Sequence, residues 1–106
     1  MAIVWLALAI TLVAETPIVA AFYPGHRLRM ALACAVATTA TNLALNFTLL
    51  HARLPYDPTL LVGETGALVF EAVVYALLAP RRDWPRAIAA SAAANFASFA
   101  LGLILF

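Results

Sequence analysis

Residues 3–27 read IVWLALAITLVAETPIVAAFYPGHR. From Ile3 to Tyr23 the only charged residue is Glu15, and the run then stops at Pro24-Gly25-His26-Arg27. About 20 mostly apolar residues carry a helix across a bilayer. Pro and Gly do not continue a helix. The stretch therefore reads as a spanning helix closed by a tight turn. The pattern recurs along the chain, so spans are expected at residues 3–23, 29–50, 59–79 and 87–106. The second connection holds Arg53, Pro55 and Pro58, and the third runs Pro80-Arg81-Arg82-Asp83-Trp84-Pro85. Connections this short force neighbouring helices to run antiparallel. The expected fold is all-α: one integral membrane domain over residues 1–106, a four-helix transmembrane bundle of two antiparallel hairpins.

Composition supports this class. Of 106 residues, 66% are hydrophobic and 10% charged, with mean hydropathy +1.01. A soluble domain is about half apolar and about a quarter charged. So small a water-soluble fold has no room to hide this much apolar surface, whereas lipid solvates it. The net charge of +1 leaves no electrostatic case for nucleic acid. The single cysteine, Cys34, makes no internal disulfide and no cysteine metal cluster, and it reads as a packing residue. The first apolar run lacks a basic leader segment and continues past Val19, so it is expected to be a retained helix rather than a signal peptide.

Arginine sets the expected orientation. Arg27, Arg29, Arg81, Arg82 and Arg86 cluster at the first and third connections, and Arg53 stands alone at the second. The positive-inside rule puts the five at the cytoplasmic face of a bacterial inner membrane, with both termini outside. Trp5, Tyr23, Tyr56 and Trp84 fall near span ends, where aromatic belts form.

The two hairpins echo each other. Glu15 precedes Pro24 by nine residues and Glu71 precedes Pro80 by nine. A basic turn follows each proline, then a helix bearing Asn42 in the first hairpin and Asn95 in the second. This spacing after the turn differs by about one helical turn. The pattern is that of a parallel repeat about an axis along the membrane normal, set against coincidence in an apolar sequence.

The polar residues inside the spans carry the functional argument. A carboxylate at bilayer depth costs several kcal/mol and usually faces a partner or water. At about 1.5 Å of rise per residue, Glu15, Glu71 and Asn95 all fall roughly 12 Å from the arginine-bearing edge. Glu64, Asn42 and Asn46 form a second layer roughly 5–10 Å from the other edge. Glu64 and Glu71 share one side of their helix, with Tyr75 four residues on. Ser91, Asn95, Ser98 and Gly102 make a small-polar stripe of the kind that lets helices approach closely. Pro17 cannot donate to the Val13 carbonyl, so a kink and a freed carbonyl are expected near Glu15.

Two readings follow. In one, Glu15, Glu71 and Asn95 form a polar site, with Glu64, Asn42 and Asn46 lining a path to it. Two carboxyls held together in a low dielectric can share one proton, which suits exchange of a proton or small cation. In the other, the glutamates are protonated or hydrogen-bonded to Asn and Thr and hold the helices together. For Asn42, Asn46 and Ser98 taken alone, interhelical bonding is the commoner role.

Other chemistry lacks its residues. His26 and His51 lie at opposite faces and cannot share a metal. Asn46-Phe47-Thr48 matches a glycosylation acceptor but falls inside a span. Ser91 and Ser98 have no membrane-embedded His or Lys to act as base. There is no Gly-rich phosphate loop and no cofactor motif.

The length and four-helix plan, with a glutamate in the first helix, resemble the small multidrug resistance transporters. That family carries an Ala-Glu-Val-x-Gly-Thr type stretch where this chain reads Ala14-Glu15-Thr16-Pro17. The second buried Glu71 and the one-sided arginines also depart from it, so the resemblance is architectural and its mechanism is not carried over. The combination of Glu15-x-Pro17, Asn42, Glu64, Glu71 and Ser91…Asn95-x-x-Ser98…Gly102 is similar to small bacterial four-helix proteins of unknown function. That likeness spans most of the chain and assigns no activity.

The leading expectation is a proton- or cation-handling transporter or channel, assembled as a homo-oligomer. Its rivals are a non-catalytic subunit of a larger membrane complex and a small intramembrane enzyme acting on lipid, with Glu15 or Glu71 as general base.

Overall fold

The computed structural model describes residues 2–51 and 56–105. They form α1 (Ala2–Phe22), α2 (Arg27–His51), α3 (Tyr56–Leu78) and α4 (Trp84–Leu105). The second connection, with Arg53 and Pro55, lies outside the described residues, as does the side chain of Tyr56. α2, α3 and α4 begin two or three residues before the expected spans. For α2 and α4 the extra residues include Arg27 and Arg86, whose long stems let a first turn carry charge at a membrane edge.

The first turn follows from its residues. Tyr23-Pro24-Gly25-His26 is closed by the His26 amide donating to the Tyr23 carbonyl at 3.0 Å. Gly25 sits at φ +88°. Proline with its fixed φ, then glycine at positive φ, is the sequence signature of a type II turn. The third connection uses a side chain instead. Asp83 caps α4 by accepting from the Arg86 amide at 3.1 Å, and its other oxygen lies 3.4 Å from the Arg86 guanidinium.

α1 packs against α2 and α4, and α3 packs against the same two, while the diagonal pairs α1/α3 and α2/α4 make no close backbone approach. The bundle measures 41 × 22 × 19 Å, enough to cross a hydrocarbon core of about 30 Å. Its surface is apolar: Val13, Val36, Val62, Phe96 and Ile104 are all strongly exposed. Its centre is built from small residues, among them Ala33, Ala37, Ala76, Ala87, Ala90 and Ala94. An apolar exterior around an alanine-lined interior suits lipid, where close backbone packing and interhelical hydrogen bonds hold helices together. All four helices are long and apolar enough to cross a membrane, and the chain is a small multi-pass membrane protein with an all-α four-helix fold.

Two local expectations are corrected. Tyr23 does not join an interfacial belt; it is buried, with Arg86 6.0 Å above its ring. The turn folds the ring inward, and the guanidinium covers it while donating to the Phe22 carbonyl at 3.3 Å. Gly102 marks no tight crossing, since a methyl group there would meet nothing. The close approach falls instead at Gly63, where an added Cβ would run into the Leu45 side chain.

Candidate functional site

Glu15 and Glu71 are 2% and 1% exposed, among the largest fully buried side chains of the bundle. They sit on α1 and α3, the diagonal helices, so both carboxyls point into the space between α2 and α4. Helix spacing explains this. Glu15 shares an inward stripe with Val19 and Tyr23, and Glu71 with Ala72, Tyr75 and Ala79.

Each carboxyl meets neutral donors. Asn95 on α4 donates to Glu71 Oε2 at 2.9 Å, and Thr41 on α2 donates to Glu71 Oε1 at 3.2 Å. Thr38 on α2 donates to Glu15 Oε1 at 3.3 Å. Ser98 on α4 also acts on the Glu15 carboxyl, although its hydroxyl lies 3.2 Å from the Asn95 carbonyl. Ser91 ties α4 to α3 by donating to the Leu68 carbonyl at 2.7 Å. The two glutamate carboxyls are close enough to influence each other, and Glu64 is near enough to act on both. Among the described residues no basic side chain enters this interior: the arginines stand in the first turns of α2 and α4 and in the third connection.

These contacts expose the internal repeat. Glu15, Val19, Tyr23 and Pro24 correspond, 56 residues on, to Glu71, Tyr75, Ala79 and Pro80. The buried residues of α2, Met30, Ala33, Cys34, Ala37 and Thr38, correspond, 57 residues on, to Ala87, Ala90, Ser91, Ala94 and Asn95. The bonds repeat as well. Thr38 serves Glu15 as Asn95 serves Glu71, and Thr41 reaches Glu71 from the helix across just as Ser98 faces Glu15. Cys34 lies 3.6 Å from Thr38, and Ser91 lies 3.4 Å from Asn95. The two hairpins thus place their glutamate donors at matching positions. The expected pairing of Asn42 with Asn95 is corrected: the counterpart of Asn95 is Thr38. With Thr38 as the counterpart, the spacing from the turn proline is 14 residues in the first hairpin and 15 in the second, and the one extra residue of the third connection accounts for the difference.

Symmetry is broken on α3. Glu64 replaces what is Leu8 on α1, and Tyr75 replaces Val19. Tyr75 is fully buried, its hydroxyl has no hydrogen-bond partner among the described residues, and Cys34, Glu71 and Glu15 are its neighbours. A buried hydroxyl without a partner costs about 1–3 kcal/mol. Here it supplies a further oxygen beside the carboxyls. Sequence reasoning placed Tyr75 on the glutamate face of α3 but did not count it in the site. Thr38, Thr41 and Ser98 were likewise not identified as glutamate partners.

The remaining expected residues fall outside this core. Asn46 bonds to Asn42 on its own helix at 2.9 Å, and no bond joins either to Glu64 among the described residues. All three are half-buried. Pro17 is exposed, and α1 runs through it as one helix. Val13 is exposed on the same outward side, so the proline face is turned away from Glu15. Packing also differs between the two ends. Among the described residues, Leu8 is the one buried residue on the far side of the glutamate layer; the others fill the layer or the arginine-bearing end. Buried residues cover the glutamates on the arginine-bearing side, and half-buried Thr11, Asn42, Glu64 and Ser98 lie on the other.

No group of three or more His, Cys, Asp or Glu that would hold a metal gathers among the described residues. Compared with known protein families, curated proteins and solved structures, the chain matches none.

Proposed function

We propose that this chain is a small transporter or channel of a bacterial inner membrane that handles a proton or small cation at Glu15 and Glu71. One observation carries the reading: two fully buried carboxyls converge from diagonal helices with only uncharged donors around them. Two uncompensated negative charges in such a place are prohibitively costly. A proton or small cation supplies the compensation, and its arrival and departure constitute the activity. Tyr75 offers a further oxygen, and half-buried Glu64, Asn42 and Asn46 would line the path to the pair. The arginine-bearing end faces the cytoplasm, by the positive-inside rule. Four helices make a thin wall, and assembly as a homo-oligomer through its apolar outer faces is part of the proposal.

The test is flux in proteoliposomes. Wild-type protein should dissipate an imposed proton or monovalent-cation gradient. Glu15→Gln and Glu71→Gln should each abolish this while the helical content stays intact. A folded wild-type protein without flux, found with a co-purifying partner, would favour the accessory-subunit reading. That reading draws on the short first and third connections, which leave little outside the bilayer.

A further inference from the structure

A groove of about 330 Å³ opens on the membrane face between α2 and α3. Its floor is the alanine side of α2, with Ala33, Ala37 and Ala40, and Phe70 and Val74 are among its walls. Arg29 stands at its mouth, in the first turn of α2, where a helix meets the headgroup layer. The groove is otherwise lined by apolar side chains, so it offers an apolar trough beneath one cation.

The two repeat-related arginines differ in their contacts. Arg86 is occupied by Asp83, the Phe22 carbonyl and the Tyr23 ring. Arg29, 57 residues earlier, is exposed and has neither ion pair nor hydrogen bond among the described residues. The chain has five acidic residues. Glu15, Glu64 and Glu71 belong to the bundle interior, Asp57 stands in the first turn of α3 at the opposite end, and Asp83 is held by Arg86. Among the described side chains, a second copy in the same orientation has no free acid at the level of Arg29. The complementary charge has to come from elsewhere, on a molecule whose remainder is apolar.

We propose that this groove binds one anionic phospholipid, its phosphate on Arg29 and an acyl chain along Ala33, Ala37 and Ala40. The site is separate from the glutamates and stands or falls independently of their role. A guanidinium is suited to phosphate, which it meets with two parallel hydrogen bonds. The alanine floor admits a chain that larger side chains would exclude.

The experiment is native mass spectrometry of the full-length protein released from micelles with added phosphatidylglycerol or phosphatidylcholine. Wild-type protein should retain phosphatidylglycerol preferentially. Arg29→Gln should lower that retention roughly fivefold, the effect of one basic residue near an anionic surface. Ala40→Phe, at an exposed groove position, should lower retention of both lipids. Arg82→Gln, in the third connection, should leave both unchanged. Equal losses in Arg29→Gln and Arg82→Gln would overturn the proposal, because they would mean diffuse attraction. Unaltered retention in Ala40→Phe would overturn it too, as would a lipid-free dimer that Arg29→Gln leaves intact.

Discussion

Asn95 and Thr38 are structural equivalents: each stands on the second helix of its hairpin and donates to the buried glutamate of the first, at 2.9 Å and 3.3 Å. The amide of Asn95 also reaches the Ser91 carbonyl at 2.8 Å, so it bridges its own helix to α3. The shorter, branched Thr38 makes the longer contact. Asn95→Ala should therefore cost about 1–3 kcal/mol, the range for leaving a buried acceptor short of a donor, and Thr38→Ala about half as much. Reversible unfolding in mixed micelles measures both. Equal costs would mean that the hairpins are not energetically distinct in this way.

The close approach of α2 and α3 at Gly63 gives a second expectation. Gly63→Ala should destabilise the bundle by less than about 1 kcal/mol, because the methyl group meets only the flexible end of Leu45 and alanine favours helix. Leu45→Ala should recover part of that loss, because the added methyl group runs into Leu45. Gly102→Ala should be neutral or slightly stabilising, as its Cβ meets nothing and alanine favours helix. Thermal unfolding of the three variants and of the Gly63/Leu45 double variant decides it.

Asp83 both caps α4 and holds Arg86. Asp83→Ala should cost about 1 kcal/mol through loss of the cap. Arg86→Gln should cost less through the ion pair, since both partners are partly exposed. It should, however, uncover Tyr23, seen as stronger quenching of that ring's fluorescence by a water-soluble quencher in a background lacking Trp5, Trp84 and Tyr56.

Orientation has a direct test. Cys34 is buried and should resist maleimide in the folded protein. With Cys34→Ala as background, a cysteine replacing Gly25 or Arg82 should be labelled from the cytoplasmic side only. Labelling from both sides would mean insertion in two orientations.

Much of this architecture is visible in the chain itself, because apolar length and Pro/Gly punctuation report directly on what a bilayer permits. The spans, the Pro24-Gly25 turn and the shared depth of Glu71 and Asn95 all follow from counting residues. Partnership is harder to read. Asn42 and Asn95 look like counterparts because they are the same residue type, yet it is Thr38 that donates to Glu15 as Asn95 does to Glu71. Side chains of different chemistry fill the same place, and one extra residue in the third connection hides the register. Hydroxyls such as Thr41 and Ser98 are too common in membrane helices to single out until a facing carboxyl is known. Gly63 and Gly102 are indistinguishable by sequence, since what separates them is the Leu45 side chain on another helix.

The central claim is that Glu15 and Glu71 act as one proton- or cation-exchanging pair. Infrared difference spectroscopy of their carboxyl stretches, in wild type, Glu15→Gln and Glu71→Gln, tests it most directly. A coupled pair titrates in steps that belong to both members. Each substitution should therefore remove one band and also shift the band and titration of the glutamate that remains. Two bands that disappear independently, each leaving the other unmoved, would contradict the account and leave the glutamates as separate structural bonds between helices.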